Sequence, residues 1–244
     1  MRVNQFIKSQ VKNNSIKQKH SYKCNKCRDY TFIIKNDEAI PCECRALREA
    51  EAILKNSGIS EEFRKKTFEN FNYSFDIQLV DAFAKAKDYV NSTNTKLPSR
   101  ENSIIFMGQV GSGKTHLSLA IANKLMNNGI GVLYMSYRDS MTYIKQNIMD
   151  NDKYQRIIEK YKKAKILLID DLYKGNISKS DINIMFEIIN FRYFNNLPII
   201  VSTEKSFNEL LEIDEAVGSR IIEMAKSHVI ELRGKKLNYR IYGN

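Results

Sequence analysis

Ile104-Ile105-Phe106-Met107-Gly108-Gln109-Val110-Gly111-Ser112-Gly113-Lys114-Thr115-His116 is the stretch that decides the fold. A short apolar segment of strand character enters a glycine-rich turn, and a helical pattern continues from His116 to Met126. Strand, Gly-x-x-x-x-Gly-Lys-Thr turn and helix in this order make a phosphate-binding P-loop. Gly108, Gly111 and Gly113, with Gln109, Val110 and Ser112 between them, let backbone N–H groups close around phosphates. The following helix N-terminus adds partial positive charge. The motif assigns Lys114 to the β and γ phosphates and the Thr115 hydroxyl to Mg²⁺.

Beyond this loop the chain alternates. Gly131 to Ser136, Lys165 to Asp170, Pro198 to Thr203 and His228 to Leu232 read as strands, with helical stretches between them. That pattern predicts an α/β P-loop NTPase whose parallel sheet is flanked by helices, with ligand at the strands' carboxyl ends. Ile166-Leu167-Leu168-Ile169-Asp170-Asp171 is a buried strand ending in paired carboxylates. Asp170 is placed to hold Mg²⁺ directly or through water. Strand alternation turns Asp171 the other way, where it could orient or activate the attacking water. The plainer alternative is two solvated acids at a strand end. Many hydrolytic ATPases carry Glu at the second position, so Asp171 implies slow turnover. After the next strand, Ser202 or Thr203 either reads the γ-phosphate through the lytic water or caps the following helix. In Val217-Gly218-Ser219-Arg220-Ile221-Ile222, Arg220 is either a solvated surface group or a finger for a neighbouring subunit's γ-phosphate.

At 244 residues and 43% hydrophobic, the chain can bury a core, which excludes global disorder. No apolar run approaches the length of a membrane span, and MRVNQFIKSQ lacks the apolar stretch of a signal peptide. A reducing cytoplasm is therefore the expected location. Lys and Arg total 39 against 28 Asp and Glu, a formal charge of +11. Such an excess raises affinity for polyanions without naming one, and a generally Lys-rich surface would give the same count.

All 4 cysteines lie in one window, Cys24-x-x-Cys27 and Cys42-x-Cys44. Two close pairs a hairpin apart, among Lys23, Lys26, Arg28, Arg45 and Arg48, suggest a structural four-thiolate Zn²⁺ site; buried free thiols or a redox pair are the alternatives. Between the pairs, Tyr30 to Ile34 reads as a strand. From Cys44 to Ser57 the pattern is helical, with Gly58 able to end it. Phe63, Phe68, Phe71, Tyr73 and Phe75 either wrap an adenine edge or form core. A helix from Leu79 to Tyr89 and a polar loop from Asn91 to Glu101, containing Pro98, complete this region.

Taken together, these blocks resemble the bacterial replicative-helicase loaders of the DnaC/DnaI type, which are AAA+ ATPases related to initiators and IstB-like ATPases. The resemblance covers nearly the whole chain. It rests on the cysteine module, LKNSGISEEFRKKTFENF, GQVGSGKTHL, LLIDDL, IIVSTEKSFNELLEIDEAVGSRIIEM and the closing GKKLNYR. It implies an N-terminal, helicase-interacting zinc module and linker over residues 1–70 and an AAA+ ATPase domain over 71–244. It further implies ATP with Mg²⁺ as ligand, a hexameric replicative helicase and single-stranded DNA as partners, and self-association with ATP at subunit interfaces. Arg220 falls on the arginine-finger position, Ser202 and Thr203 on the sensor-1 strand end, and Glu204 where some relatives carry Asn. Arg240, with Arg233 second, falls near the sensor-2 position. As in related initiators, extra helices over Tyr137 to Lys163 would touch DNA through Arg138, Tyr143, Lys145 and Lys153. An ordinary amphipathic helix pair is the plainer reading of that region.

Three other functions compete. A transposase-associated IstB-like ATPase shares the P-loop, the aspartate pair and the Gly218-Ser219-Arg220 block, but generally lacks the cysteine module. A small-molecule kinase would need an acceptor lid and no arginine in trans. A pure adaptor would bind ATP without turning it over.

Overall fold

The computed structural model describes residues 22–35, 38–56, 60–74, 76–97 and 99–242. The chain divides into two units, residues 1–45 and 46–244. The expectations for MRVNQFIKSQ, Gly58, Phe75 and Pro98 lie outside the described residues.

In the small unit, β1 (Phe32–Lys35) and β2 (Glu38–Pro41) pair antiparallel with Ile33 opposite Ile40. Arg28, Asp29 and Thr31 adopt left-handed backbone, folding the chain tightly between Cys27 and β1. The Cys42 N–H then donates to the Thr31 carbonyl at 2.9 Å. Both strands are exposed along their whole length. A two-stranded hairpin without a buried face is marginal in water, so this one needs another source of order. Helix α1 (Cys44–Asn56) crosses the unit boundary.

In the large unit follow α2 (Glu61–Arg64), α3 (Ile77–Lys96), β3 (Ile104–Gly108), α4 (Lys114–Asn127), β4 (Val132–Ser136), α5 (Tyr137–Gln146) and α6 (Asn151–Lys163). Then come β5 (Ile166–Leu172), α7 (Lys179–Phe194), β6 (Ile199–Thr203), α8 (Phe207–Ile213), α9 (Glu215–Met224), β7 (Val229–Leu232) and α10 (Tyr239–Tyr242). The five strands β3–β7 form one parallel sheet in the order β4-β5-β6-β3-β7. The expected α/β fold with a parallel sheet flanked by helices is what the chain adopts. Strand β6 thus lies between the P-loop strand β3 and the acidic strand β5, and its end can reach both.

Alternation along the strands divides the core. Ile104, Phe106 and Leu168 face the cluster under α3 and α4, while Ile105, Met107, Leu167 and Ile169 face that under α5, α7 and α9. Strands buried on both faces read as unbroken apolar runs, which is why they were legible. Helix α3 is longer than expected, taking in Asn91 to Lys96, which polarity marks as loop. Its hydroxyls bond back to the helix: Thr93 is buried and donates to the Tyr89 carbonyl at 2.6 Å, and the exposed Thr95 donates to the Ser92 carbonyl at 2.8 Å.

Arg192 on α7 is wholly buried, although nothing in the sequence marks it. Its Nη1 donates to the Tyr161, Lys162 and Ala164 carbonyls at 2.9, 3.0 and 2.9 Å, and Nη2 to Pro198 at 2.6 Å. The first three belong to the end of α6, where carbonyls lack helical partners. One guanidinium therefore fastens the end of α6 to the entry of β6. Arg192→Leu should lower unfolding free energy by at least about 3 kcal/mol, because several carbonyls lose their donors at once. Urea unfolding measures this, and a loss below about 1 kcal/mol would contradict the clamp.

Candidate active site

Gly108 ends β3 with φ of 120°, and a Cβ there would stand 2.1 Å from the Leu232 carbonyl oxygen. Gly113 caps α4 with φ of 89°, where a Cβ would meet the Phe71 ring at 2.6 Å. Val110, Gly111, Ser112, Gly113, Lys114, Thr115 and His116 line a cavity of about 420 Å³. Gly108 and Gln109 are not among its lining residues. The Gln109 amide instead clasps the Gly234 backbone: Nε2 donates to the carbonyl, and Oε1 accepts the N–H at 3.2 Å. Its role in this structure is to tie the loop to the chain after β7. Lys114 is buried, with Nζ donating to the Gly108 and Gln109 carbonyls at 2.7 and 2.5 Å. Burial pushes its pKa down to about 8, against the opposing pull of Glu204 and Asp171.

Beside the loop, β5 bulges. Ile169 pairs with Val201 and Leu172 with Thr203, so Asp170 and Asp171 together stand opposite Ser202. Asp171 takes φ of 56°, a left-handed conformation that Asp tolerates better than most residues. Ser202 serves both members of the pair: Oγ donates to Asp170 Oδ1 at 2.5 Å and accepts the Asp171 N–H at 2.9 Å. Thr115 Oγ1 also donates to Asp170 Oδ1, at 2.9 Å, and the Tyr134 hydroxyl donates to Oδ2 at 3.1 Å. Burial raises the Asp170 pKa despite these bonds. The bulge breaks the alternation expected of the pair: both carboxylates border a second cavity of about 570 Å³, while Asp171 also lines the first. Lys174, which carried no sequence signal, bridges Asp171 at 2.8 Å and Glu204 at 2.9 Å on the first cavity's wall. Thr203 is held elsewhere, donating to the Leu172 carbonyl at 2.8 Å and lining neither cavity.

The opposite wall comes from the segment before α3. Phe63, Lys66, Asn70, Phe71 and Asn72 line the cavity. Asn123 on α4 fixes that segment by donating to the Phe63, Arg64 and Lys66 carbonyls at 3.2, 3.3 and 2.7 Å. His116 Nε2 lies 2.9 Å from the Thr67 carbonyl and 3.0 Å from Asn70 Oδ1. Burial lowers the His116 pKa, favouring a neutral ring. The two readings of the aromatics merge, since Phe71 is buried core and cavity wall at once, while Phe68 is core alone. Tyr239 and Arg240 close a further side, and the Tyr239 N–H donates to the Gly111 carbonyl at 3.0 Å. Arg233 stands outside, its Nε donating to Glu231 at 2.7 Å.

Arg220 lines neither cavity of its own chain. Its Nη1 donates to the Ala216 carbonyl at 2.8 Å, and its guanidinium lies 5.6 Å from the Phe186 ring and 5.3 Å from that of Tyr193. Gly218 allows this placement, because a Cβ there would stand 2.9 Å from the Leu210 carbonyl oxygen where α9 meets α8. Of the candidate DNA contacts, Lys153 lies 5.9 Å over the exposed Tyr143 ring on helices α6 and α5. Lys145 is paired with Asp181 at 2.9 Å, and Arg138 lines the second cavity.

In the small unit, the thiols of Cys24, Cys27, Cys42 and Cys44 lie within 4.8 Å of one another. Cys24 and Cys42 sulfurs are 3.8 Å apart, and those of Cys27 and Cys44 3.4 Å. Four thiolates at about 2.3 Å from a tetrahedral Zn²⁺ stand about 3.8 Å apart, so the cluster fits that ion.

A family model described as IstB-like ATP binding protein matches residues 28–241. The chain belongs to that family. It is 33% identical over 235 residues to the phage-like element PBSX protein XkdC of Bacillus subtilis (strain 168), covering 91% of this chain and 87% of that one. It is 34% identical to the uncharacterized protein YqaM of the same strain, covering 82% of this chain but spanning only 66% of YqaM. The replicative helicase loader DnaC of Escherichia coli (strain K12) is 26% identical over 186 residues, 76% of this chain and 72% of DnaC. A crystal structure of the DnaC helicase loader superposes with TM-score 0.60 at 19% identity, over 71% of this chain and all of that one, a likeness of fold. The likeness to DnaC in sequence and in fold agrees with the resemblance carried by the motifs of this IstB-like chain. Among the described residues, no helix is long and apolar enough to cross a membrane.

Proposed function

We propose that this IstB-like protein is an ATP-hydrolysing loader that delivers a replicative DNA helicase onto single-stranded DNA in the cytoplasm. The observation that carries the ATPase reading is the 2.9 Å bond between Thr115, which lines the P-loop cavity, and the buried Asp170. It brings together the hydroxyl and carboxylate that would hold Mg²⁺, which when bound draws charge from the phosphate oxygens. Lys114 and the N–H groups of Gly111 to Thr115 would hold phosphate oxygens, with Arg240 closing the cavity over them. Phe63 and Phe71 would flank the base. Asp171, steadied by Lys174, would orient the attacking water from the cavity wall. Because Arg220 is absent from its own cavity, it would act on ATP bound by a neighbouring copy. Ser202 supports Asp170 in this scheme, which moves the sensor-1 role away from Thr203.

Residues 1–70 would bind the hexameric helicase, with Cys24, Cys27, Cys42 and Cys44 ordering the exposed hairpin around Zn²⁺. Residues 71–244 would form the ATPase domain, and Tyr143 with Lys153 offers a ring and a cation to single-stranded DNA. DnaC among the relatives supports the helicase as partner. The matching family description favours a second reading, an IstB-like ATPase that serves a transposase.

A pull-down of the full chain against its host's purified replicative helicase, with ATP, separates the two. Capture that is lost in Cys24→Ser is the expected result. No capture, with DNA-stimulated ATPase activity retained, would put the transposition reading first.

A further inference from the structure

Tyr134 belongs to no motif, yet it touches the carboxylate on which the ATPase reading turns. It lies on β4, one strand beyond β5, with its backbone in register with Leu168. Its hydroxyl reaches Asp170 Oδ2 at 3.1 Å, while Oδ1 is taken by Thr115 and Ser202. Without the phenol, Asp170 would be held through one oxygen only and could rotate about its terminal bond. The Tyr134 ring packs on Phe63, centroids 5.7 Å apart. Phe63 lines both cavities, and its carbonyl is fixed by Asn123. One side chain thus joins the aromatic wall of the nucleotide cavity to the buried acid at its metal end.

We propose that Tyr134 is a positioning residue: its hydroxyl fixes the plane of the Asp170 carboxylate, and its ring makes that plane depend on the Phe63 wall. The proposal rests on the ATP–Mg²⁺ reading of the site. Groups that orient a metal ligand commonly change metal affinity by about 10–100-fold when removed. A base seated against Phe63 would restrain the ring, and so favour the carboxylate orientation that receives the divalent ion. Nucleotide and ion would therefore bind cooperatively, each strengthening the other by the same factor.

The test is Tyr134→Phe, which keeps the ring against Phe63 and removes only the hydroxyl. Mn²⁺ serves as probe, its free concentration followed by electron paramagnetic resonance in titrations of the full chain with a non-hydrolysable ATP analogue. Tyr134→Phe should weaken Mn²⁺ binding by about tenfold or more. Analogue affinity in EDTA and the urea midpoint should stay at wild-type values, which a merely structural role would not predict. Tyr161→Phe removes a hydroxyl from the same second cavity, one that bonds Ser140 at 3.1 Å, and should leave Mn²⁺ affinity unchanged. Equal Mn²⁺ affinity in wild type and Tyr134→Phe would overturn the proposal. Failure of the wild type itself to bind Mn²⁺ with the analogue would overturn the underlying ATP–Mg²⁺ reading instead.

Discussion

Arg220→Ala should leave ATP affinity at the wild-type value and lower hydrolysis by roughly a thousandfold, the lower end of what an arginine finger supplies. The separation follows from position. Arg220 lines neither cavity of its own chain, so its loss removes no contact to ATP bound there. It lies over the rings of Phe186 and Tyr193 on its own chain, so the change also removes those two contacts, and an unchanged urea midpoint is the control for folding. Complementation makes the test decisive. A chain carrying Arg220→Ala has an intact P-loop, and one carrying Lys114→Ala has an intact finger. Each alone should be inert. An equal mixture should recover roughly a quarter of wild-type hydrolysis if subunits pair head to tail at random. No recovery, with both variants folded and self-associating, would place Arg220 outside the reaction. Full activity of Arg220→Ala alone would do the same.

Lys114→Ala should lower kcat/KM for ATP by about a hundredfold or more, through lost charge at the developing phosphate. The same residue should give ATP binding a proton signature. In the free protein, burial holds its pKa at about 8 against an ordinary value of 10.5. The fold therefore disfavours the charged form, and that burden lifts as pH rises from about 8 towards 10.5. Phosphate beside the ammonium favours the charged form and raises the pKa again. Binding near pH 8 should accordingly take up roughly half a proton. Calorimetry in buffers of different ionisation enthalpy measures this uptake, which should vanish in Lys114→Ala. Uptake that persists there would assign the proton to another group.

Much of this site was legible because its parts are local. The P-loop needs consecutive residues, and a doubly buried strand announces Asp170 through the apolar run before it. For Arg220 the residues left two readings open, solvated surface group or finger, since a helical arginine has no pattern of its own, and only the resemblance pointed to the finger. Tyr134, Lys174, Asn123 and Arg192 were not legible. Each acts across an interval that no local periodicity records: Asn123 reaches back to Phe63, and Arg192 spans α6 and β6. Thr203 misled for the complementary reason. A hydroxyl at a strand end faces ligand or backbone according to register, and a bulge on the neighbouring strand decided it here. The polar end of α3 misled because composition alone does not show hydroxyls bonded inside a helix.

The bulge on β5 also limits which acid can stand at its end. A left-handed backbone is tolerable for Asp and Asn, whose short side chains bond locally, and costs most longer residues about 1–2 kcal/mol. Glutamate at position 171 would therefore be a poor exchange in this chain, although it carries the same charge and a longer reach. Shape of the main chain, more than strength of the base, is then what selects aspartate here. A faster relative built on glutamate would have to straighten this strand end, and with it loosen the double hold of Ser202 on the acidic pair.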